Sequence, residues 1–330
     1  MSRVLSVWPP TFALLISLTP CIAESGGVKA KLGSGVNSSP FRIVGYLPEY
    51  RLSRFNPEDA RHVTDLVYFA VTPRANGDAG LDRIKPESLD LLKRIKAKYG
   101  TRLHVCLGGW NRSKGFAELA ASADARKRLI DQLTNFCTTH GFDGVDVDWE
   151  HPTKTAELAN HAKLLSELKA GLSPHKLQLS IAAAGWQEIL PEAIQAVDFV
   201  NLMAYDTRGK HSTLEFAKSD VDRLNKRGVP PAKICLGMPF YGRKIANSER
   251  SISYGEIVDR YHPAADIDEV DGFYFNGPKT IEEKVRLARD RKLAGVMIWE
   301  LGQDAKGDAG LLPALRKVVD AGAPASGRPK

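Results

Sequence analysis

Four carboxylates crowd one short stretch of the chain. Asp143, Asp146, Asp148 and Glu150 lie within GFDGVDVDWEHP, residues 141–152, interleaved with Val145, Val147 and Trp149, residue types that favour strands. A strand alternates its side chains between two faces, so Asp146, Asp148 and Glu150 share one face and the apolar residues the other. Acids stacked in a row repel one another, and burial disfavours their charged forms. At least one proton must then be shared along the row at neutral pH. Glu150, at the end of the row, is placed to stay protonated and act as a general acid. Asp143 is off the alternation and is expected to fix the start of the strand. A solvated acidic face and a divalent-cation site are the alternatives. The flanking residues do not read as an exposed edge, and no His or further acid clearly joins the set.

Such a row needs a scaffold that aims it at substrate. Strand patterns run over Arg42–Leu47, Asp65–Val71, Leu103–Leu107, Gly144–Trp149, Leu177–Ala183, Phe199–Ala204, Lys233–Met238 and Gly295–Trp299. Most are near-continuous apolar runs, which suits parallel strands covered on both faces. Helix patterns lie between them. KPESLDLLKRIKAKYG (85–100) carries Pro near its start and Gly at its end, and the helix over 122–141 starts on a capping Ser122 and stops at Gly141. The helices at 155–171 and 280–292 are expected to begin on Thr caps, and shorter ones fit 56–63, 190–197, 213–228 and 310–321. Eight strands, each followed by a helix, predict an α/β fold: a closed (β/α)8 TIM barrel. An open doubly wound sheet is the runner-up, and the lack of a glycine-rich phosphate loop after the first strand counts against it. In a barrel the acids point inward and Glu150 reaches the C-terminal rim, where active sites of this fold sit. A short insertion, from about Arg243 to Lys279, separates strand 7 from helix 7 and is expected to carry structure of its own.

FDGVDVDWE resembles the DGxDxDxE signature of family 18 glycoside hydrolases, the chitinase family, of the secreted, single-domain bacterial type. The likeness extends over roughly 41–322: GYLPEY (45–50), CLGGW (106–110), MAYD (203–206), GMPFYGR (237–243) and GVMIWELGQD (295–304) are similar to the family's strand-end segments in order. The resemblance implies substrate-assisted retention, in which the sugar's own N-acetyl oxygen attacks the anomeric carbon and no carboxylate nucleophile is needed. It makes Glu150 the acid and later the base, has Asp148 accept the acetamide N–H, and has Asp146 share a proton with Asp148. Tyr205 is expected to hold the acetamide oxygen, Met203 to pack beneath the sugar, Asp206 to bond sugar hydroxyls and Trp299 to form the floor. Tyr46 and Phe69 are expected to line the same pocket, and Gly108 and Gly109 to let the backbone pass close to substrate, unless they merely permit a bulge. Trp110, Trp186 and Tyr241 are candidate sugar platforms, with ordinary packing as the alternative. Cys106 stands where the family motif often has Ser, and a thiol is a weaker partner for the acid row.

The rest of the chain narrows the setting. Of 330 residues, 43% are hydrophobic and 26% charged, and the net charge of +7 is spread among mixed signs, so no nucleic-acid surface is expected. Residues 1–23 read as a secretory signal peptide cut near Ala23–Glu24, 24–40 as a flexible Gly/Ser linker and 323–330 as a disordered tail. A secreted or periplasmic monomer is expected, with no stable membrane association after cleavage. Cys106, Cys137 and Cys235 do not form a disulfide or metal pattern and are expected as buried apolar residues. No cofactor or metal is implied. The expected partner is chitin or another N-acetylglucosamine polysaccharide, including N-glycans or peptidoglycan for an endo-β-N-acetylglucosaminidase. A chitin-binding lectin typically lacks the acid that Glu150 supplies.

Overall fold

The structure, a computed structural model, describes residues 41–53 and 55–322; the expected signal peptide, linker and tail lie outside the described residues. Seven parallel strands come first: β1 Arg42–Pro48, β2 Asp65–Val71, β3 Arg102–Gly108, β4 Gly144–Asp148, β5 Gln178–Ala183, β6 Phe199–Leu202 and β7 Ile234–Pro239. Strands β8 Tyr241–Lys244, β9 Asn247–Ser253, β10 Glu269–Val270 and β11 Phe273–Tyr274 form a separate antiparallel sheet in the order β10-β11-β8-β9. The chain then returns through β12 Gly295–Trp299, which pairs with β1 and β7 and closes an eight-stranded parallel barrel. The (β/α)8 architecture and the insertion between strand 7 and helix 7 are therefore both present.

The helices are α1 Pro86–Tyr99, α2 Phe116–Ala121, α3 Ala123–His140, α4 Thr155–Leu172, α5 Pro191–Ala196, α6 Leu214–Lys226, α7 Tyr254–Tyr261, α8 Pro278–Asp290 and α9 Leu311–Ala321. The crossover from β1 to β2 is a 3-10 turn, Pro57–His62. Local chemistry sets most boundaries. Ser122 Oγ accepts the Ala125 N–H at the start of α3, and Gly141 ends it with φ of 73°. The two threonines do not cap. Glu157 satisfies the N–H groups of Thr153 and Lys154 ahead of α4, at 3.1 and 3.2 Å. Pro278 starts α8 two residues before Thr280, whose hydroxyl instead donates to Asp268 Oδ2 at 2.5 Å and pins the helix to the insertion.

Two apolar cores result. The larger lies between strands and helices, and a smaller one fills the barrel with Val44, Tyr46, Val67, Phe69, Cys106, Phe199, Cys235 and Met297 among its members. β4 obeys its alternation. Val145, Val147 and Trp149 face the outer core, where Trp149 stacks on Phe116 at 5.1 Å and 13° and meets the edge of His161 at 5.5 Å. Asp146 and Asp148 point into the barrel and are buried. Asp143 behaves as expected for a strand anchor: its Oδ2 accepts from Lys96 Nζ at 2.7 Å and from the Leu103 N–H at 2.8 Å. The three cysteines are free and buried.

Candidate active site

Side chains at the C-terminal ends of the strands enclose a cleft of about 670 Å³. Asp148, Glu150, Met203, Tyr205, Asp206, Trp110, Tyr241 and Trp299 all line it, together with Trp186 and His151. The acids form the expected ladder from barrel interior to cleft.

At the bottom, Asp146 is fully buried and outside the cleft. Its Oδ2 accepts from Tyr46 Oη at 2.8 Å, and its Oδ1 from Ser180 Oγ at 2.6 Å and Asn201 Nδ2 at 3.1 Å. The β3–β4 and β4–β5 registers align Cys106 and Ser180 with Asp146 on the two neighbouring strands. Burial, with Asp146 and Asp148 nearby, pushes the Cys106 thiol pKa well up, so it stays protonated. Hydroxyl contact with the row comes from Tyr46 and Ser180, both bonded to Asp146.

In the middle, the Asp148 carboxyl has Oδ1 buried without a hydrogen-bond partner. Its pKa lies well above the carboxylate range, raised by burial first and then by the charges of Glu150 and Asp146. At the top, Glu150 is pushed up to about 7, by burial and by Asp206, against a lowering hydrogen bond from the Trp110 N–H. Ser113 Oγ accepts the Glu150 N–H at 3.0 Å and fixes the backbone where the strand ends. Burial and the nearby acids raise the pKa of both Asp148 and Glu150, so the charged forms of these two stacked acids are disfavoured.

The walls are set by different elements. Among the described residues the Tyr205 hydroxyl has only Met297 Sδ as a hydrogen-bond partner, at 3.9 Å, and burial first, then the neighbouring acids, raises its pKa. It therefore presents a protonated donor to the cleft. Asp206 is committed to protein partners: Tyr241 Oη donates to its Oδ1 at 2.6 Å, and Arg243 pairs with its Oδ2 at 3.0 Å. Tyr241 is thus a positioning group more than a flat platform. Trp299 is braced by Phe69, edge-on at 4.6 Å, and by Tyr46 at 5.5 Å. Trp110 and Trp186 are 71% and 53% exposed, so their faces are free for a sugar.

Three expected pocket residues lie behind the surface. Tyr46, 1% exposed, faces Asp146 because β1 turns it toward the barrel axis. Phe69 is buried under Trp299. Gly109 is covered: a Cβ there would sit 2.4 Å from the Phe69 ring, and its φ of 100° excludes ordinary side chains. None of the three lines the cleft. Conversely, sequence reasoning gave no role to Arg243, His151 or the Ser248, Glu249 and Ser251 wall of β9, all of which do. Arg243 ends the quoted GMPFYGR segment, so its signal was present. Ser180 and Asn201 were legible too, as polar residues inside apolar strands. Among the described residues, no group of three or more His, Cys, Asp or Glu could hold a metal ion.

The chain is similar to known proteins. The family model described as Glycosyl hydrolases family 18 matches residues 42–304. The chitinase ChiB from the chitin utilization locus of Flavobacterium johnsoniae superposes with a TM-score of 0.76 at 30% identity, covering 86% of this chain and 94% of that one. A Drosophila melanogaster protein described as probable chitinase 2 is 25% identical over 348 aligned positions, spanning 78% of this chain and 70% of that protein. A plant class V chitinase mutant from Cycas revoluta in complex with (GlcNAc)3 shares the fold, with a TM-score of 0.73 at 23% identity over 84% of this chain and 99% of that one.

Proposed function

The chain belongs to glycosyl hydrolase family 18 and is a chitinase-like glycoside hydrolase, and from that premise we propose that it cleaves β-1,4-linked N-acetylglucosamine chains with retention, using Glu150 as acid and base. The observation that carries this reading is that Asp148, Glu150, Tyr205, Met203 and Trp299 line one cleft large enough for sugar rings. Glu150, with a pKa near 7, is protonated on the acid side of neutrality and can donate to the glycosidic oxygen. The acetamide oxygen of the bound sugar attacks its anomeric carbon as that bond breaks, and no enzyme carboxylate is consumed as nucleophile. Asp148, whose Oδ1 has no partner among the described residues, accepts the acetamide N–H, and once its proton has passed to another acid of the row its charge offsets the oxazolinium. Asp146, beneath it, takes part in sharing the row's proton. The Tyr205 hydroxyl holds the acetamide oxygen under the anomeric carbon, where a small displacement is costly. Trp299 supplies the floor for the ring. Deprotonated Glu150 then activates the water that opens the oxazolinium. Chitin and chitooligosaccharides are the proposed substrates, consistent with the chitinases the chain is similar to. Secretion is proposed from the basic start, apolar run and small-residue site of residues 1–23.

Release of fluorophore from chitobiose and chitotriose conjugates tests the chemistry. Glu150→Gln is expected to abolish turnover, and Asp148→Asn to lower kcat by at least about 100-fold, the range of a lost transition-state contact. Near-normal rates in the Asp148→Asn protein would count against substrate assistance. Faster release of glycans from a glycoprotein than of oligomers from soluble chitin would move the substrate to N-glycans.

A further inference from the structure

His151 directly follows the proposed acid, lines the same cleft and has no part in the chemistry above. Its ring touches three things. Nε2 lies 3.6 Å from Glu150 Oε2, Nδ1 lies 3.1 Å from Gln187 Oε1, and the ring meets Trp186 edge-on at 4.8 Å and 66°. Gln187 is buried and turns its Oε1 to the ring, while its Nε2 has no hydrogen-bond partner among the described residues. An amide oxygen only accepts, so with Oε1 facing the ring Nδ1 carries the proton. In a neutral imidazole that leaves Nε2 as a lone pair facing the Glu150 carboxyl. A lone pair beside a carboxyl favours the form that can donate to it, which is the protonated acid. We propose that His151 is a positioning residue that keeps Glu150 loaded with its proton, and that Gln187 enforces this by fixing the imidazole tautomer. The proposal rests on Glu150 being the acid.

The surroundings agree. Burial lowers the His151 pKa, against an opposing hydrogen bond to Gln187 Oε1, which favours the neutral ring the geometry requires. The other groups facing the Glu150–His151 pair are Asp148 on β4, the Trp110 N–H after β3, Tyr205 and Asp206 after β6, Arg243 on β8 and Glu249 on β9. Arg243 is tied to Asp206, so among the described residues lining the cleft no unpaired Lys or Arg competes for Glu150. The Trp186 contact holds the ring in place.

The test is the alkaline limb of kcat/KM against pH, where activity falls as the acid loses its proton. In Gln187→Glu a carboxylate accepts from both states of Nδ1–H and stabilises the imidazolium, placing a cation near Glu150. That limb should move to lower pH by about half a unit or more. In the double variant Gln187→Glu with His151→Phe, no ring nitrogen remains to carry the cation, and the limb should stay or move to higher pH. A limb that does not move in Gln187→Glu, or moves down equally in the double variant, overturns the proposal. Should Gln187→Glu fail to fold, His151→Asn serves at a partly exposed position. Its amide N–H facing Glu150 should lower the limb, and an unmoved limb is again fatal. Nitrogen-15 spectra of the wild type give a second readout: the Nδ1–H tautomer at His151 is expected, and the Nε2–H tautomer rules the proposal out. An active Glu150→Gln protein would sink the reading of Glu150 itself. An inactive Glu150→Gln protein together with an unmoved limb in Gln187→Glu sinks only the role of His151.

Discussion

Asp206 shows how a residue away from the reacting atoms can set the acid. Its charge is one of the two causes raising the Glu150 pKa, behind burial. Tyr241 and Arg243 hold both of its oxygens in a fixed place. Neutralising it should therefore lower the Glu150 pKa twice over, by removing a like charge and by freeing the Arg243 cation. Asp206→Asn is expected to shift the alkaline limb of kcat/KM to lower pH by on the order of one unit, apart from any loss in rate. A pH–rate profile checks this, and a limb that stays or rises excludes it. The residues of this site divide by how sequence encodes them. The acid row was legible because strand period alone puts Asp146, Asp148 and Glu150 on one face. His151 was not, because period two assigns it to the outer face, whereas β4 ends at Asp148 and the backbone beyond is free to turn its ring back. Tyr46 was placed in the cleft because position along a strand gives height but not depth. Only the contact with Asp146, a hundred residues away in sequence, shows that it supports the row from behind.

Elements carry the next layer. Gly108 and Gly109 follow the apolar run of β3 with φ of 99° and 100°, a region that side chains avoid. The turn lets the Gly109 N–H reach the Asp148 carbonyl at 2.6 Å, so the loop after β3 is tied to β4 beside the acids. Any Cβ at 109 strikes Phe69, and Phe69 braces Trp299. Gly109→Ala is expected to cost roughly 2–4 kcal/mol through backbone strain and overpacking. Its second effect should be a raised KM, as the displaced Phe69 tilts the indole floor. Melting temperature and KM measured together test the chain of contacts, and a lower Tm with an unchanged KM would break it. The eight barrel strands were readable because each is an apolar run bounded by helix caps and glycines. The inserted sheet was foreseen only as structure of some kind. Its strands YGRK and NSERSIS are short, polar and without clean alternation, so nothing local distinguishes them from loop. Their pairing is decided by tertiary packing of Tyr254, Phe273, Tyr274 and Phe275, which are buried.

At the scale of the molecule, the barrel separates stability from chemistry by end. Opposite the cleft, near the N-terminal ends of the strands, Asp65 on β2 is fully buried and gathers Arg42 of β1 at 2.7 Å and Arg102 of β3 at 2.6 Å. His104 of β3 lies 3.1 Å from the same oxygen, and Arg42 also reaches Gln178 of β5 at 3.3 Å while covering the Phe199 ring. Burial alone would raise the Asp65 pKa, but hydrogen bonds from His104 and Arg102 and the charge of Arg42 hold it well below the carboxylate range. A depressed folded pKa contributes stability that is complete above the unfolded value, near 4, and is lost as pH falls below it. Removing one partner of a buried pair leaves the others uncompensated, typically at about 3–5 kcal/mol. Asp65→Asn should therefore lower the Tm at neutral pH by on the order of 10 °C. It should also flatten the fall in Tm between about pH 4 and pH 2. The alkaline limb of kcat/KM for the folded variant should stay where it is, because the limb belongs to Glu150 at the other end. A displaced limb would mean that the two ends of the barrel are electrostatically coupled, and that the cleft's proton balance is a property of the whole strand set and not of its rim.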